Sequence, residues 1–355
     1  MVRRLLVFVI TMVLVGGVAS PALACGGLVN PNGTVSLLRT TTLAAYTDGV
    51  EHYITSFEFA GGGGKFGSIV PLPGIPSKVS RAGDWTLQRL VQEVQPPVAE
   101  RAVLFSSADA AGSGAEVLLE TTIDALDITI LKGGGDQVGQ WAADNGFELT
   151  PDAPEVLDFY ADRSPIFMAA RFDANKAKEL GQATGDGTPI HLTIPTPNPW
   201  VPLRILALGQ PEDAIVKADV FLLTENPPDM LPEPVVGKGK GFVLSRNEPA
   251  NDLLLADLRS DKGMKWLPKD DMWFSYLKID VPAAELTHDL ALDATGYGSP
   301  SPVAAGLVDP LNPVEYALPE KSHAAWAWLA ALIAMWGIFA FGRKTGSRGG
   351  NNYFA

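Results

Sequence analysis

Any chemistry in this 355-residue chain has to be built from four histidines, forty carboxylates and one cysteine. The histidines are His52, His191, His288 and His323, and none stands in a His-x-x-x-His or Glu-spaced pattern that would bring two ligands onto one helix face. Cys25 stands alone, so the chain has neither an intramolecular disulfide nor a cysteine metal site. Gly62-x-Gly64-x-x-Gly67 has the spacing of a dinucleotide fingerprint, but a strand pattern follows it where a helix is needed. Lys65 after four glycines suggests a phosphate loop, yet Phe66 occupies the Ser/Thr position and Phe59 that of the first glycine. There is no Gly-x-Ser-x-Gly elbow and no Asp-x-Asx-x-Asx-Gly calcium loop.

Carboxylate pairs such as Glu51 with Glu58, or Asp270 with Asp271, would suit glycoside hydrolysis, which needs one protonated and one ionised acid. Among so many acids, chance proximity explains such pairs better. No catalytic, cofactor or metal site is read from the sequence, and no cofactor is expected. Trp266, Trp273, Phe274 and Tyr276 form an aromatic cluster. Core packing is its default reading, and a carbohydrate or peptide platform on Trp266 and Trp273 is the binding alternative.

The two ends carry the clearest signals. Residues 1–24 read as a signal peptide: Arg3 and Arg4 lead, an apolar run follows, and Ala22-Leu23-Ala24 is a small-x-small cleavage site. Cys25 comes directly after Ala24, the position of a lipidated cysteine in a bacterial lipoprotein. Plain cleavage and lipidation both remain open, because that pattern wants Leu at position 22. Residues 324–341 run 18 positions without a charge, about 27 Å as a helix and enough for a hydrocarbon core. Trp326, Trp328 and Trp336 suit the interface, and Arg343 and Lys344 follow on the side expected to be cytoplasmic. The reading is a single transmembrane helix at 323–342, a cytoplasmic tail at 343–355, and an exterior domain held at the cytoplasmic membrane.

The net charge is −13, and setting aside the five basic residues Arg3, Arg4, Arg343, Lys344 and Arg348 leaves −18 on the remainder. So acidic a domain is a poor partner for nucleic acid or anionic lipid headgroups. Hydrophobic content of 46% with 19% charged residues suits a folded globule. Proline (28) and glycine (36) are spread along the chain, which favours short strands and many turns.

These features predict a strand-dominated α+β domain over residues 25–290, with one domain or two subdomains parting near 230–241 both open. Tyr53, Thr55, Phe57 and Phe59 alternate with His52, Ile54, Ser56 and Glu58 as a half-buried strand, and residues 66–72 return from the glycine turn as its hairpin partner. Residues 116–131, 166–172, 190–194, 203–208 and 214–224 read as further strands. Asp84 is expected to cap a helix with the apolar stripe Leu87, Leu90, Val91, Val94. Short helices are also expected from Asp136 to Trp141 and from Pro154 to Ala161. Residues 237–241 read as a loop or linker, and 291–322 as a Pro/Gly-rich stalk.

Four stretches together resemble the bacterial family catalogued as domain of unknown function 2330. They are Ala24-Cys25-Gly26-Gly27; Phe66-Gly67-Ser68-Ile69-Val70-Pro71-Leu72-Pro73; Trp141 to Leu149 with Leu157-x-x-Tyr160; and Phe167-Met168-Ala169-Ala170-Arg171-Phe172. The resemblance spans roughly residues 24–225. It implies an exported location and a shared fold, with no catalytic residue to transfer. Members often carry a second cysteine soon after the first; this chain does not, so no disulfide is carried over. The function expected is a membrane-anchored, non-enzymatic binding or scaffold protein of the cell envelope, with envelope proteins or wall glycans as partners. A glycan hydrolase and a carbohydrate-binding module are the rival readings.

Overall fold

The alternation over residues 50–60 becomes strand β3 (Val50–Ala60), which pairs antiparallel with β2 (Ser36–Thr47) through the turn at Asp48 and Gly49. Both turn residues have positive φ, 52° and 76°, the type I′ geometry that Asp-Gly favours and that matches strand twist. The computed structural model describes residues 27–29, 36–60, 66–94, 115–147, 149–181 and 188–311, all of which belong to one unit. The leader with Ala24 and Cys25, the span at 323–342 with Trp326, Trp328 and Trp336, and Arg343 and Lys344 lie outside these residues. Among the described residues no helix is long and apolar enough to cross a membrane.

β2 and β3 form the middle of an eight-stranded sheet completed by β5 (Lys78–Arg81), β9 (Ile190–Pro195), β11 (Ile215–Thr224), β13 (Val235–Val236), β14 (Gly241–Pro249) and β15 (Trp273–Pro282). The spatial order is β13-β14-β15-β11-β2-β3-β9-β5. Only β11/β2 and β13/β14 are parallel pairs. A five-stranded antiparallel sheet in the order β1-β4-β8-β7-β6 uses β1 (Gly27–Val29), β4 (Phe66–Pro71), β6 (Glu116–Ile123), β7 (Leu126–Lys132) and β8 (Ile166–Phe172). A small sheet orders β10 (Trp200–Val201), β16 (Leu290–Asp293) and β12 (Asp229–Leu231). The helices are α1 (Thr86–Val94), α2 (Gly135–Asp144), α3 (Ala153–Ala161), α4 (Ala174–Glu179) and α5 (Asp252–Ser260). The chain is thus a strand-dominated α+β fold, and the three helices expected in its first half are present.

Both faces of the large sheet are covered. Leu43, Ala45, Ile54, Phe221 and Leu223 pack under Leu87 and Leu90 of α1 and Leu254, Leu255 and Leu258 of α5. The opposite face, with Ala44, Tyr53, Leu192, Val220 and Leu222, shares one apolar cluster with the five-stranded sheet and with α2 and α3. β3 is therefore buried on both sides over residues 51–55, where alternation alone suggests a half-buried strand.

Four other expectations are corrected. β4 is not the hairpin partner of β3: β2 and β9 occupy the edges of β3, while β1 and β8 occupy those of β4. Residues 116–131 fold back as a β6–β7 hairpin that turns at Asp124, φ 52°. The strand expected at 203–208 is a 3₁₀ turn, Arg204–Ala207, because its leading N–H groups converge on the buried Asp289 carboxylate. The segment read as a stalk from 291 is folded through residue 311. Leu292, Ala294, Ala304 and Ala305 are buried, and the Asp289 N–H donates to the Ala305 carbonyl at 2.9 Å.

Candidate functional site

Successive residues of a strand face opposite ways, so Glu51 and His52 carry their ionisable groups to the two sides of the large sheet. His52 points to the α1/α5 side, where its Nδ1 lies 2.9 Å from Nε2 of His191 on β9. Trp266, from the loop after α5, stacks on His52 with ring centroids 3.6 Å apart and planes 1° from parallel. Its indole N–H is buried without a hydrogen-bond partner. Burial pushes the His52 pKa down to about 4 and that of His191 down to about 3, the latter helped by the neighbouring His52 and Lys78. At neutral pH the pair is uncharged, one imidazole donating to the other. Nothing in the local sequence marks this pair; the strand pairing of β3 with β9 creates it across 139 positions.

Glu51 points the other way and has no exposed surface. Burial pushes its carboxyl up to about 8, against a smaller opposing pull from the Trp200 backbone N–H. Neither oxygen has a hydrogen-bond partner in bonding geometry. Tyr46, opposite Glu51 across the β2–β3 pair, donates its hydroxyl to the Thr196 carbonyl at 2.9 Å. Burial, followed by the charges of Glu51, Asp293 and Glu225, raises the Tyr46 pKa. Asp293, 8% exposed, accepts from the Thr295 N–H and hydroxyl through Oδ1, while Oδ2 is buried without a partner. This end of the sheet therefore gathers the carboxyl groups of Glu51, Asp293 and Glu225 around Tyr46, with Glu51 sealed in the interior.

The third buried polar centre is Asp289. Its Oδ1 accepts from the Tyr160 hydroxyl at 2.8 Å and from the N–H groups of Leu203 and Arg204 at 2.7 and 2.9 Å; its Oδ2 accepts from Arg163 at 2.8 Å. The Arg163 guanidinium lies 3.8 Å from the centroid of the Phe159 ring and donates to the Ala304 carbonyl. This network ties α3, the 3₁₀ turn and residues 289–305 together, and all of its groups are spent on one another.

A narrow crevice of about 20 Å³ is lined by Thr40, Thr42, Tyr53 and Thr55 of the large sheet and by Val70, Val201, Leu203 and Leu206 among others, all of them buried. The lining contains no carboxylate, imidazole or amine. The two tryptophans singled out as a binding platform are not presented together. Trp266 is committed to His52, and Trp273 donates its indole N–H to Asn247 Oδ1 at 2.6 Å. Asp270 and Asp271 are exposed neighbours in the loop before β15. Among the described residues no group of three or more His, Cys, Asp or Glu is arranged to hold a metal ion.

The stretches that carry the family resemblance meet at Gly67 on β4. A Cβ there would stand 2.6 Å from Phe147 Cζ and 2.9 Å from the Ala170 carbonyl. Gly67, Phe147 and Ala170 come from three of the four stretches, so at this point the signature describes close packing. The model of a family described as uncharacterized protein conserved in bacteria (DUF2330) matches residues 19–221. No curated protein matches. Among solved structures, the chain is similar to the crystal structure of baculovirus P35, with 9% identity, 74% of this chain and 98% of that chain covered, and a TM-score of 0.40. It is also similar to a mutated baculovirus P35 after caspase cleavage, with 8% identity, 72% and 99% covered, and a TM-score of 0.36.

Proposed function

This chain belongs to the bacterial family DUF2330, and from that premise we propose that it is a membrane-anchored cell-envelope protein whose exported domain binds or scaffolds partners without chemistry of its own. The observation that carries the reading is a segregation. The groups with strongly shifted protonation, Glu51, His52, His191 and Tyr160, lie in packed layers, and the small crevice beside the large sheet holds no carboxylate, imidazole or amine. Acid–base catalysis needs the shifted group within hydrogen-bond reach of a substrate. A body that keeps these groups out of a substrate's reach suits recognition better. The engagement of Trp266 and Trp273 likewise weighs against a carbohydrate platform.

Location rests on the sequence. In this reading residues 1–24 direct export, Cys25 begins the mature chain with or without a lipid, and residues 323–342 span the cytoplasmic membrane with Arg343 and Lys344 inside. The anchor confines the domain near the membrane and raises its effective concentration for neighbours there.

Crosslinking on intact cells, then capture of the tagged full-length protein, tests both parts. A chain released without residues 323–355 is the control. One dominant envelope partner, lost in the released chain, supports the anchored scaffold. A C-terminal tag cut by protease added to intact cells overturns the topology. Cleavage of wall fragments by the purified protein at any pH overturns the non-enzymatic reading.

A further inference from the structure

Val235 and Val236 are 69% and 79% exposed, and together they make up β13, the edge strand of the eight-stranded sheet. β13 runs parallel to β14, with Val235 opposite Val243 and Val236 opposite Leu244. Parallel neighbours ordinarily need a crossover of about a dozen residues; here residues 237–240 suffice. The chain doubles back so tightly because Gly237, Gly239 and Gly241 hold φ of 132°, 148° and 107°, a region open to glycine alone. A Cβ built at any of the three meets nothing within 4 Å; the Gly237 N–H still donates to the Leu244 carbonyl at 3.1 Å and Gly241 opens β14, so the exposed tip is residues 238–240. Between the glycines stand Lys238 and Lys240, both exposed. Neither takes part in an ion pair among the described residues. Across the sheet from Gly241, Asp280 is engaged by Lys278 at 3.8 Å.

In a chain of net charge −13, two unpaired lysines outnumber the exposed Glu233 that precedes the strand, and two bare valines add an apolar tip. We propose that residues 235–241 are a membrane-contact finger that seats Val235 and Val236 in the interface of an anionic lipid surface while Lys238 and Lys240 meet headgroup phosphates. The occupant follows from charge complementarity and from the chain beyond residue 311, whose uncharged stretch at 324–341 is followed by Arg343 and Lys344. The inference rests on the anchored reading above for the nearness of that surface. Two lysines at an anionic leaflet raise local affinity roughly 30-fold, and exposed valines add interfacial burial. The acidic remainder of the domain is repelled by the same leaflet, so contact is confined to this edge and fixes how the domain lies.

The test uses the full chain carrying Cys25→Ser and Val236→Cys, labelled at the new thiol with a polarity-sensitive fluorophore. It is reconstituted into nanodiscs of phosphatidylcholine alone or mixed with phosphatidylglycerol. The finger predicts emission at shorter wavelength only in the anionic discs, reversed by high salt and lost in Lys238→Glu/Lys240→Glu. An unchanged urea midpoint shows that the charge reversal leaves the fold intact. Equal emission in both discs, or a shift that survives charge reversal, overturns the finger. A probe that ignores lipid but responds to added polyglutamate also overturns it and gives the edge to an acidic protein. A chain that fails to enter the discs sinks the anchor alone; the same probe is then read on anionic vesicles added from outside, where a charge-dependent shift upholds the finger and its absence overturns it.

Discussion

Glu51 and the His52–His191 pair give the molecule opposite responses to acid and base. Folding lifts the Glu51 pKa from 4.5 to about 8, so between those values the folded chain keeps a proton that the unfolded chain has released. Its contribution is fullest below pH 4.5 and is lost as pH climbs through 8. The histidines run the other way. Their folded pKa values fall from 6.5 to about 4 and about 3, so their contribution is full above 6.5 and is lost as pH falls through those values. Glu51→Gln keeps the shape without the titration. Between about pH 5 and about pH 9, urea unfolding should show the stability of the wild type falling by on the order of 4 kcal/mol relative to the variant, the histidine contribution being common to both. Equal losses in the two proteins would remove Glu51 as the cause. None of this is legible in the sequence: Glu51 sits in a run that reads as a half-buried strand, and its orphaned state depends on β10 and Trp200 closing over it.

At the scale of elements, α1 shows how a local signal can be right about an element and wrong about its cause. The stripe of Leu87, Leu90, Val91 and Val94 forms the helix as expected, but Asp84 does not cap it. Asp84 pairs with Arg81 and is 63% exposed. The turn that enters the helix is held instead by Asp261, at the end of α5, whose carboxylate accepts from the N–H groups of Asp84 and Trp85 at 3.2 and 3.0 Å and from the Thr86 hydroxyl at 2.7 Å. Gly83 leaves the room for it, since a Cβ there would stand 2.1 Å from Asp261 Oδ2. Asp261→Ala should cost about 2 kcal/mol or more in chemical unfolding, and Asp84→Ala within about 0.5 kcal/mol. The reverse order would return the cap to Asp84. Strand existence was largely legible for the same reason as the helix, since hydrophobic periodicity is a local property. Sheet membership was not, because β3 and β4 carry equally good strand patterns and part company only through which edges are already filled.

For the whole molecule, the decisive difference lies at the C-terminal side of the domain. Pro, Gly and Ser at 296–319 read as an open stalk, yet β16 is the central strand of the three-stranded sheet, and the chain after it returns to bury Ala304 and Ala305. A chain ending at residue 311 should unfold cooperatively with the stability of the intact domain. One ending at residue 290 should lose on the order of 5 kcal/mol, or its cooperative transition altogether, with the apolar surface that β16 covers. Denaturant melts of the two truncations decide it, and matching midpoints would restore the shorter domain.

The sequence by itself determined the properties that accumulate locally or by composition. These are the acidic charge, the leader-like and anchor-like ends, the strand-rich α+β class, the three helices of the first half and the family likeness, which need only neighbouring residues or sums over them. Tertiary structure alone decided which strands share a sheet, that His52 meets His191 beneath Trp266, that Glu51 is sealed without a partner, that Asp261 holds the turn into a helix 175 positions away, and that residues 291–311 belong to the domain. Each of these is a long-range contact made when one element claims the edge, face or cavity another leaves open, and periodicity along the chain carries no record of that competition.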